Sequence, residues 1–160
     1  ILGLVGVVAL AVHGNSNNPD FRWLNFFSYF TIEANVIGAL VLLIAGFAAL
    51  RGSQTRELSG LRGAAAVYLV ITGIVYNLLL RDLENPTTDL PWANFIVHVI
   101  MPIVILLDFL LDRTVHRLGL RNALWWVGFP LVWTAYTLIR GQIADWYPYP
   151  FLDAGAKGWG

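Results

Sequence analysis

Two residues of this chain have side chains that could act together as a nucleophile and a base. Thr31 carries a hydroxyl in one apolar stretch, and His98 carries an imidazole in another. A histidine can deprotonate a hydroxyl, and amide or guanidinium donors can hold the oxyanion formed when that hydroxyl attacks an ester. These groups are the minimum set for acyl transfer. The other polar residues predicted to share the site, as substrate or oxyanion contacts, are Asn35, Asn77, Asn94, Arg81, Arg140 and Glu33.

Other catalytic motifs are missing from the sequence. It has no Gly-X-Ser-X-Gly elbow, no His-Glu-X-X-His motif and no phosphate-binding loop. It also has no cysteine, which excludes disulfides, thiolate catalysis and cysteine-based metal sites. Of the three histidines, His13 and His116 are predicted near opposite membrane edges, so we expect no metal site and no cofactor.

The composition indicates a bilayer as solvent. Hydrophobic residues make up 58% of the 160 residues, charged residues only 12%, and the mean hydropathy is +0.65. A soluble domain is nearer half apolar, with about a quarter of its residues charged. The net charge is zero, so nothing suggests a nucleic-acid partner. We therefore predict an integral membrane protein.

Apolar stretches predict an all-α fold, a polytopic bundle of transmembrane helices forming a single domain over residues 1–160. A spanning helix needs about 17–25 residues, and strands of that length would leave backbone groups unsatisfied in lipid. The first stretch is shorter, and we interpret it as the end of a truncated first helix rather than as a signal peptide. The five predicted spans are residues 1–12, 26–50, 63–80, 92–111 and 123–139.

Arginine placement predicts the orientation. Arg51, Arg56 and Arg62 fall in the predicted loop after the second span, and three further arginines fall in the predicted loop directly after Leu111. Because loops rich in arginine and lysine stay in the cytoplasm, both loops and the N-terminus are predicted to be cytoplasmic. The opposite loops are acidic or balanced in charge, and tryptophans mark their boundary with the membrane, at positions 23, 92 and 146.

This orientation gathers the polar residues in the outer half of the membrane. Thr31 and Asn35 are four positions apart and share a helix face, as do Asn94 and His98. With a rise of 1.5 Å per residue, Thr31 is expected roughly 8 Å and His98 roughly 9 Å below the outer boundary. Ionisable residues inside a membrane are expensive, and a functional site is the first hypothesis for them.

Each polar residue also has a purely structural interpretation. A threonine hydroxyl can bond back to its own helix, and asparagines can join helices. Arginines can extend to the interface, whereas Glu33 needs a cationic partner or a bound proton. Pro102, four residues after His98, removes the hydrogen bond to the His98 carbonyl, so a kink and a free carbonyl are expected there.

An ordered set of short strings resembles the androgen-induced and androgen-dependent TFPI-regulating proteins, in particular their bacterial branch with six spans. The strings are FFSYFTIEAN at 26–35, VYNLLLRD at 75–82, FIVHVIMP at 95–102, YTLIR at 136–140 and WYPYPF at 146–151. The resemblance implies a sixth helix beyond Gly160 and a bacterial plasma membrane. It further implies a membrane threonine hydrolase of fatty acid esters of hydroxy fatty acids, with the nucleophile at Thr31 and the essential histidine at His98. Glu33 departs from the glutamine that the family often has there.

Three functional hypotheses follow from the sequence. The first is an intramembrane hydrolase whose partner is a membrane lipid or lipid ester. The second is a non-catalytic lipid or small-molecule carrier, or a proton-coupled transporter, with Glu33, His98 and Arg140 as a relay. The inner half of the membrane lacks the polar residues that a path across would need. The third is a structural or regulatory protein, in which the Thr31 hydroxyl would bond back to its own helix, with no cavity beside it.

Overall fold

The chain folds into helices that end at its polar, Gly- and Pro-marked positions. The computed structural model describes residues 1–81, 90–111, 118–153 and 155, and no β-strand occurs in these ranges. The helical elements are α1 (Leu2–Asn17), α2 (Trp23–Phe26), α3 (Phe30–Leu50), α4 (Arg56–Val75), a π-helical segment π1 (Tyr76–Leu80), α5 (Pro91–Phe95), a second π-helical segment π2 (Ile96–Ile100), α6 (Met101–Leu111), α7 (Leu120–Trp126), α8 (Gly128–Ala144) and a 3₁₀ turn (Pro150–Leu152).

Among the described residues, three helices are long and apolar enough to cross a membrane. They are Phe30–Leu50, Arg56–Leu80 and Pro91–Leu111, of 21, 25 and 21 residues. This is consistent with an integral membrane protein, but the predicted number of five spans is not confirmed. Helix α1 has 16 residues, and the last apolar stretch is divided at Val127. The division has a local cause, because Pro130 lacks the N–H that would bond to the carbonyl four residues earlier.

Two helices begin at other positions than the sequence predicted. The second predicted span starts at residue 26, but Tyr29 is extended (φ −71°, ψ 125°) and α3 begins at Phe30. Helix α4 begins at Arg56, because the side chain of Thr55 accepts a hydrogen bond from the N–H of Leu58 and caps the helix. The loop predicted to reach Arg62 therefore ends earlier, and Arg62 belongs to the helix.

The core lies between α3, α4 and α6, and α8 packs against it at one side. Ala34 on α3, Leu69 on α4 and Ile105 on α6 are fully buried there. Small residues let α1 approach closely, since a Cβ at Gly6 would lie 2.8 Å from a methyl group of Val97. The segment after α8 folds back onto the bundle instead of leaving it.

A buried ion pair joins α4 to α6 near the start of α4. The Arg62 side chain is 2% exposed, and its Nη2 lies 2.9 Å from Oδ2 of Asp108. Its Nε donates to the same oxygen at 3.0 Å, and its Nη2 also donates to the Asp108 backbone carbonyl at 3.2 Å. This corrects the prediction that Arg62 is a loop charge, because several donors of its guanidinium are satisfied inside the bundle.

Candidate functional site

The structure brings Thr31 and His98 into contact. Oγ1 of Thr31 lies 3.2 Å from Nε2 of His98, although the two residues are 67 positions apart. Both side chains are buried, each with an exposed fraction of 6%. A hydroxyl and an imidazole at this distance have the geometry required between a nucleophile and its general base.

The Thr31 hydroxyl differs from those of Thr72 and Thr134 in the bundle. Thr72 and Thr134 donate to the carbonyl four residues earlier, at 3.0 and 2.8 Å, which is the usual arrangement inside a helix. Thr31 has no helical carbonyl four residues before it, because α3 begins at Phe30. The start of the helix thus leaves the hydroxyl of Thr31 available to a partner on another element.

The imidazole of His98 is oriented from both sides. Its Nδ1 lies 3.1 Å from the carbonyl oxygen of Asn94, one turn earlier. Since a carbonyl can only accept, this contact assigns the proton to Nδ1 and leaves the lone pair of Nε2 facing Thr31. The ring of Tyr76 stacks on the imidazole, with centroids 3.7 Å apart and an interplanar angle of 13°. The tautomer and the ring plane both suit a base.

Asn35 ties α3 to the segment that carries His98. Its Nδ2 donates to the Thr31 carbonyl at 2.9 Å and to the Val97 carbonyl at 3.1 Å. The Val97 carbonyl has no backbone donor, because the N–H of Met101 bonds five residues back and Pro102 has no N–H. The free carbonyl expected from Pro102 is therefore found one residue earlier than predicted, since π2 shifts the hydrogen-bond register. Asn35 holds the site together and does not face the Thr31 hydroxyl.

A glycine on α4 allows the His98 segment to approach closely. A Cβ at Gly73 would lie 3.1 Å from the His98 carbonyl oxygen and 3.1 Å from Cγ of Pro102. These distances are tighter than ordinary van der Waals contact, so a side chain here would push the two helices apart. Gly73 thereby allows α4 to pack closely against the segment that carries His98.

Tyr149 is part of this site, and the sequence analysis did not identify it. Its hydroxyl lies 3.3 Å from Oγ1 of Thr31 and 3.3 Å from the backbone nitrogen of Thr31. Burial, which leaves the side chain 7% exposed, raises the pKa of Tyr149 to about 12, so the phenol keeps its proton. Three aromatic rings surround it, those of Tyr29, Trp133 and Phe151.

In the sequence this tyrosine lies within the string WYPYPF at 146–151, which follows the last predicted span. Two features could have marked it: Pro148 and Pro150 on either side of Tyr149 restrict the backbone, and Gly141 leaves space one helical turn before the loop. In the structure a Cβ at Gly141 would overlap the ring of Tyr147, so the loop packs directly on α8. Neither feature indicates that Tyr149 points at Thr31.

Three of the predicted site residues lie away from Thr31 and His98. Asn77 donates to the Gly73 carbonyl of its own helix at 2.8 Å. Arg81 is exposed at the end of π1. Glu33 is half-buried in the first turn of α3, where the positive end of the helix dipole favours a carboxylate, and it contacts neither catalytic candidate. Asn94 contributes its backbone carbonyl, which accepts from Nδ1 of His98.

Arg140 lies in a polar pocket beside the site. It donates to Oδ1 of Asn25 at 2.6 Å, and its guanidinium carbon lies 5.1 Å from the centre of the Trp146 ring. The pocket has a volume of about 380 Å³, and Asn25, Trp146 and Tyr29 line it together with Arg140. The Tyr29 ring also packs on Tyr149, at 5.6 Å between centroids, so these two rings lie between the pocket and Thr31, which does not line it.

The described parts of the chain contain no group of three or more histidine, aspartate or glutamate side chains that could hold a metal ion. The chain also matches no protein-family model, no curated protein and no solved structure.

Proposed function

We propose that this protein is an intramembrane hydrolase of lipid esters, with Thr31 as nucleophile and His98 as general base. The observation that carries the proposal is the 3.2 Å contact between Oγ1 of Thr31 and Nε2 of His98. The proton on Nδ1 of His98, directed at the Asn94 carbonyl, supports it, because it leaves Nε2 free to accept. Apolar helices around the site suit an ester with a long acyl chain.

The reaction proceeds in two halves that use the same groups. In the first, Oγ1 of Thr31 bonds to the ester carbonyl carbon while its proton passes to Nε2 of His98. The tetrahedral intermediate collapses, and the alcohol leaves with that proton. In the second half water attacks the acyl carbon and gives its proton to His98, and Oγ1 of Thr31 leaves and is reprotonated. Fatty acid and free enzyme result.

The substrate class and location rest on the resemblance to the TFPI-regulating family. We infer esters of hydroxy fatty acids or similar lipids, bound from the outer leaflet half of a bacterial plasma membrane. The Arg140 pocket is suited to the polar part of such a lipid. We also infer five spans in this chain and a cytoplasmic N-terminus, supported by the arginines of the two predicted cytoplasmic loops other than Arg62, which is buried.

The transporter alternative is less well supported by the geometry. It requires a relay through Glu33, His98 and Arg140. In the described ranges the Arg140 side chain contacts Asn25 and Trp146, whereas His98 contacts Thr31 and Asn94. The contacts described for Arg140 and His98 therefore do not join the three relay residues to one another.

The test is covalent labelling of the purified protein in detergent with a fluorophosphonate probe. We expect labelling of wild type at Thr31, identified by mass spectrometry, and no labelling of Thr31→Ala or His98→Ala. Thr31→Ser should keep the reactivity because it keeps the hydroxyl. Thr72→Ala is the matched control, since that threonine is equally buried but bonds back to its own helix. Equal labelling of wild type and Thr31→Ala, or no labelling of folded wild type, would contradict the proposal.

A further inference from the structure

The proposed mechanism requires donors for the oxyanion, and Tyr149 lies where such a donor is needed. Its hydroxyl is within 3.3 Å of both the Oγ1 atom and the backbone nitrogen of Thr31. The hydrogen bonds of the Thr31 hydroxyl that the structure describes are with His98 and Tyr149. We propose that the Tyr149 hydroxyl is a catalytic group that, with the backbone N–H of Thr31, binds the ester carbonyl oxygen and stabilises the oxyanion; this rests on the proposed function.

The direction of each hydrogen bond follows from the groups that can only donate or only accept. The Asn94 carbonyl accepts from Nδ1 of His98, so Nε2 accepts from the Thr31 hydroxyl. The oxygen of that hydroxyl is then an acceptor, and the phenol of Tyr149 donates to it. The backbone N–H of Thr31 donates to the phenol oxygen. Tyr149 thus donates to Oγ1 of Thr31, while its oxygen accepts from the backbone N–H of the same residue.

The position of Thr31 in its helix provides the second donor. Thr31 lies in the first turn of α3, where N–H groups have no partner within the helix. The phenol oxygen is the acceptor that this N–H has in the free protein. When an ester binds with its carbonyl carbon next to Oγ1, the carbonyl oxygen can replace the phenol oxygen as the acceptor of this N–H. It can then accept from the N–H and from the Tyr149 hydroxyl at the same time.

The charge movement in the proposed step is balanced within the site. As Oγ1 of Thr31 bonds to the carbonyl carbon, the π electron pair moves onto the carbonyl oxygen and the Thr31 proton moves to His98. The Tyr149 O–H turns from Oγ1 to the new oxyanion but keeps its proton. Donors placed about 2.7–3.1 Å from the oxyanion in a water-excluded site stabilise it, and here only the O–H bond of Tyr149 has to rotate. When the intermediate collapses, the electron pair returns to re-form the carbonyl.

The surroundings of Tyr149 hold the hydroxyl in place. Its ring stacks on Phe151 at 5.3 Å with an interplanar angle of 4° and packs on Trp133 at 5.9 Å. The burial that raises its pKa to about 12 keeps the phenol protonated at all physiological pH values. Tyr149 is therefore a donor, and the role of base stays with His98.

The experiment compares Tyr149→Phe with wild type in hydrolysis of p-nitrophenyl octanoate in detergent micelles. Phenylalanine keeps the ring packing and removes only the hydroxyl. We expect kcat to fall about 100- to 1,000-fold with KM changed little, as for removal of a single oxyanion donor. Tyr136→Phe is the matched control, because its hydroxyl bonds to Ser28 Oγ at 3.1 Å and does not contact Thr31. The melting temperature of each variant checks the fold.

A second measurement reports on the oxyanion itself. A long-chain trifluoromethyl ketone forms a hemiketal oxyanion with the nucleophile, whereas the matching methyl ketone binds without one. We expect Tyr149→Phe to weaken inhibition by the trifluoromethyl ketone about as much as it lowers kcat/KM, and to leave the methyl ketone unchanged. Unchanged or increased activity in folded Tyr149→Phe would overturn the inference, and an increase would identify Tyr149 as a plug. Absence of Thr31-dependent labelling in wild type would instead overturn the proposed function, and this inference with it.

Discussion

The Thr31 side chain is contacted by residues from two other segments of the chain. His98 on π2 accepts from its hydroxyl, and Tyr149 beyond α8 contacts both the hydroxyl and the backbone nitrogen. Thr72 shows the alternative, since its equally buried hydroxyl is occupied by its own helix. The same side chain is therefore a structural group in one position and a candidate nucleophile in the other, and the difference is the start of α3.

The first prediction concerns the ionisation of Tyr149. Its pKa is raised by burial from about 10 in an unfolded chain to about 12. Below pH 10 its phenol is neutral in both states, whereas between pH 10 and 12 only the unfolded state ionises, so the stability that Tyr149 contributes is lost across that window. We expect the melting temperature of wild type to fall more steeply than that of Tyr149→Phe between pH 10 and 12. The phenolate absorbance of the folded proteins provides the check. If wild type already absorbs more than Tyr149→Phe at pH 10, Tyr149 ionises there, and this would contradict the raised pKa.

At the scale of elements, the site depends on interruptions of regular helices. The break before α3 frees the hydroxyl of Thr31, and π2 with Pro102 frees the Val97 carbonyl that Asn35 then binds. The segment π1 places Tyr76 against the ring of His98. Single-turn π-helical segments are frequent at functional sites, because they shift side chains out of the α-helical register.

The second prediction tests the close packing of α4 against the His98 segment. Gly73→Ala places a Cβ 3.1 Å from the His98 carbonyl oxygen and from Cγ of Pro102, so His98 has to move. We expect the rate of fluorophosphonate labelling to fall at least tenfold, although no catalytic group is removed. Gly46→Ala on α3 is the control, since its Cβ meets nothing within 4 Å. Equal labelling rates in the two variants would show that the contact does not position His98.

At the scale of the whole molecule, the bundle has polar contacts at both ends. The Thr31, His98 and Tyr149 contacts lie where α3 begins, and the Arg62–Asp108 ion pair lies near the other end of α4. A buried ion pair contributes little net stability compared with apolar residues of similar size, but removal of one partner leaves an uncompensated charge. This pair therefore favours one register of α4 against α6.

The third prediction follows from this asymmetry. Asp108→Leu alone should lower the free energy of unfolding in detergent by on the order of 3 kcal/mol, because the Arg62 guanidinium, 2% exposed, loses its carboxylate. Arg62→Met with Asp108→Leu should recover most of that loss. Chemical denaturation of wild type, single and double variants measures both effects. A double variant as unstable as the single one would mean that the ion pair itself, and not the uncompensated charge, provides the stability.

Several features were predictable from the sequence because they depend only on composition and local spacing. The apolar stretches predicted helices, and three of them are long enough to span a membrane. The spacing of Thr31 and Asn35 predicted a shared face, and Asn35 indeed donates to the Thr31 carbonyl one turn away. The effect of Pro102 on the carbonyls before it was also predictable, to within a residue, because a missing N–H acts on the same helix.

The remaining features were decided by packing between segments far apart in the chain. The contact between Thr31 and His98 bridges 67 positions, and that between Thr31 and Tyr149 bridges 118. Orientation predicted a similar depth for Thr31 and His98, but depth does not determine which side chains face each other around a bundle. The burial of Arg62 and the fold-back of Tyr149 likewise depend on partners supplied by other helices. Local periodicity carries no information on those partners, so only the tertiary structure could assign Arg62 to an ion pair and Tyr149 to the site.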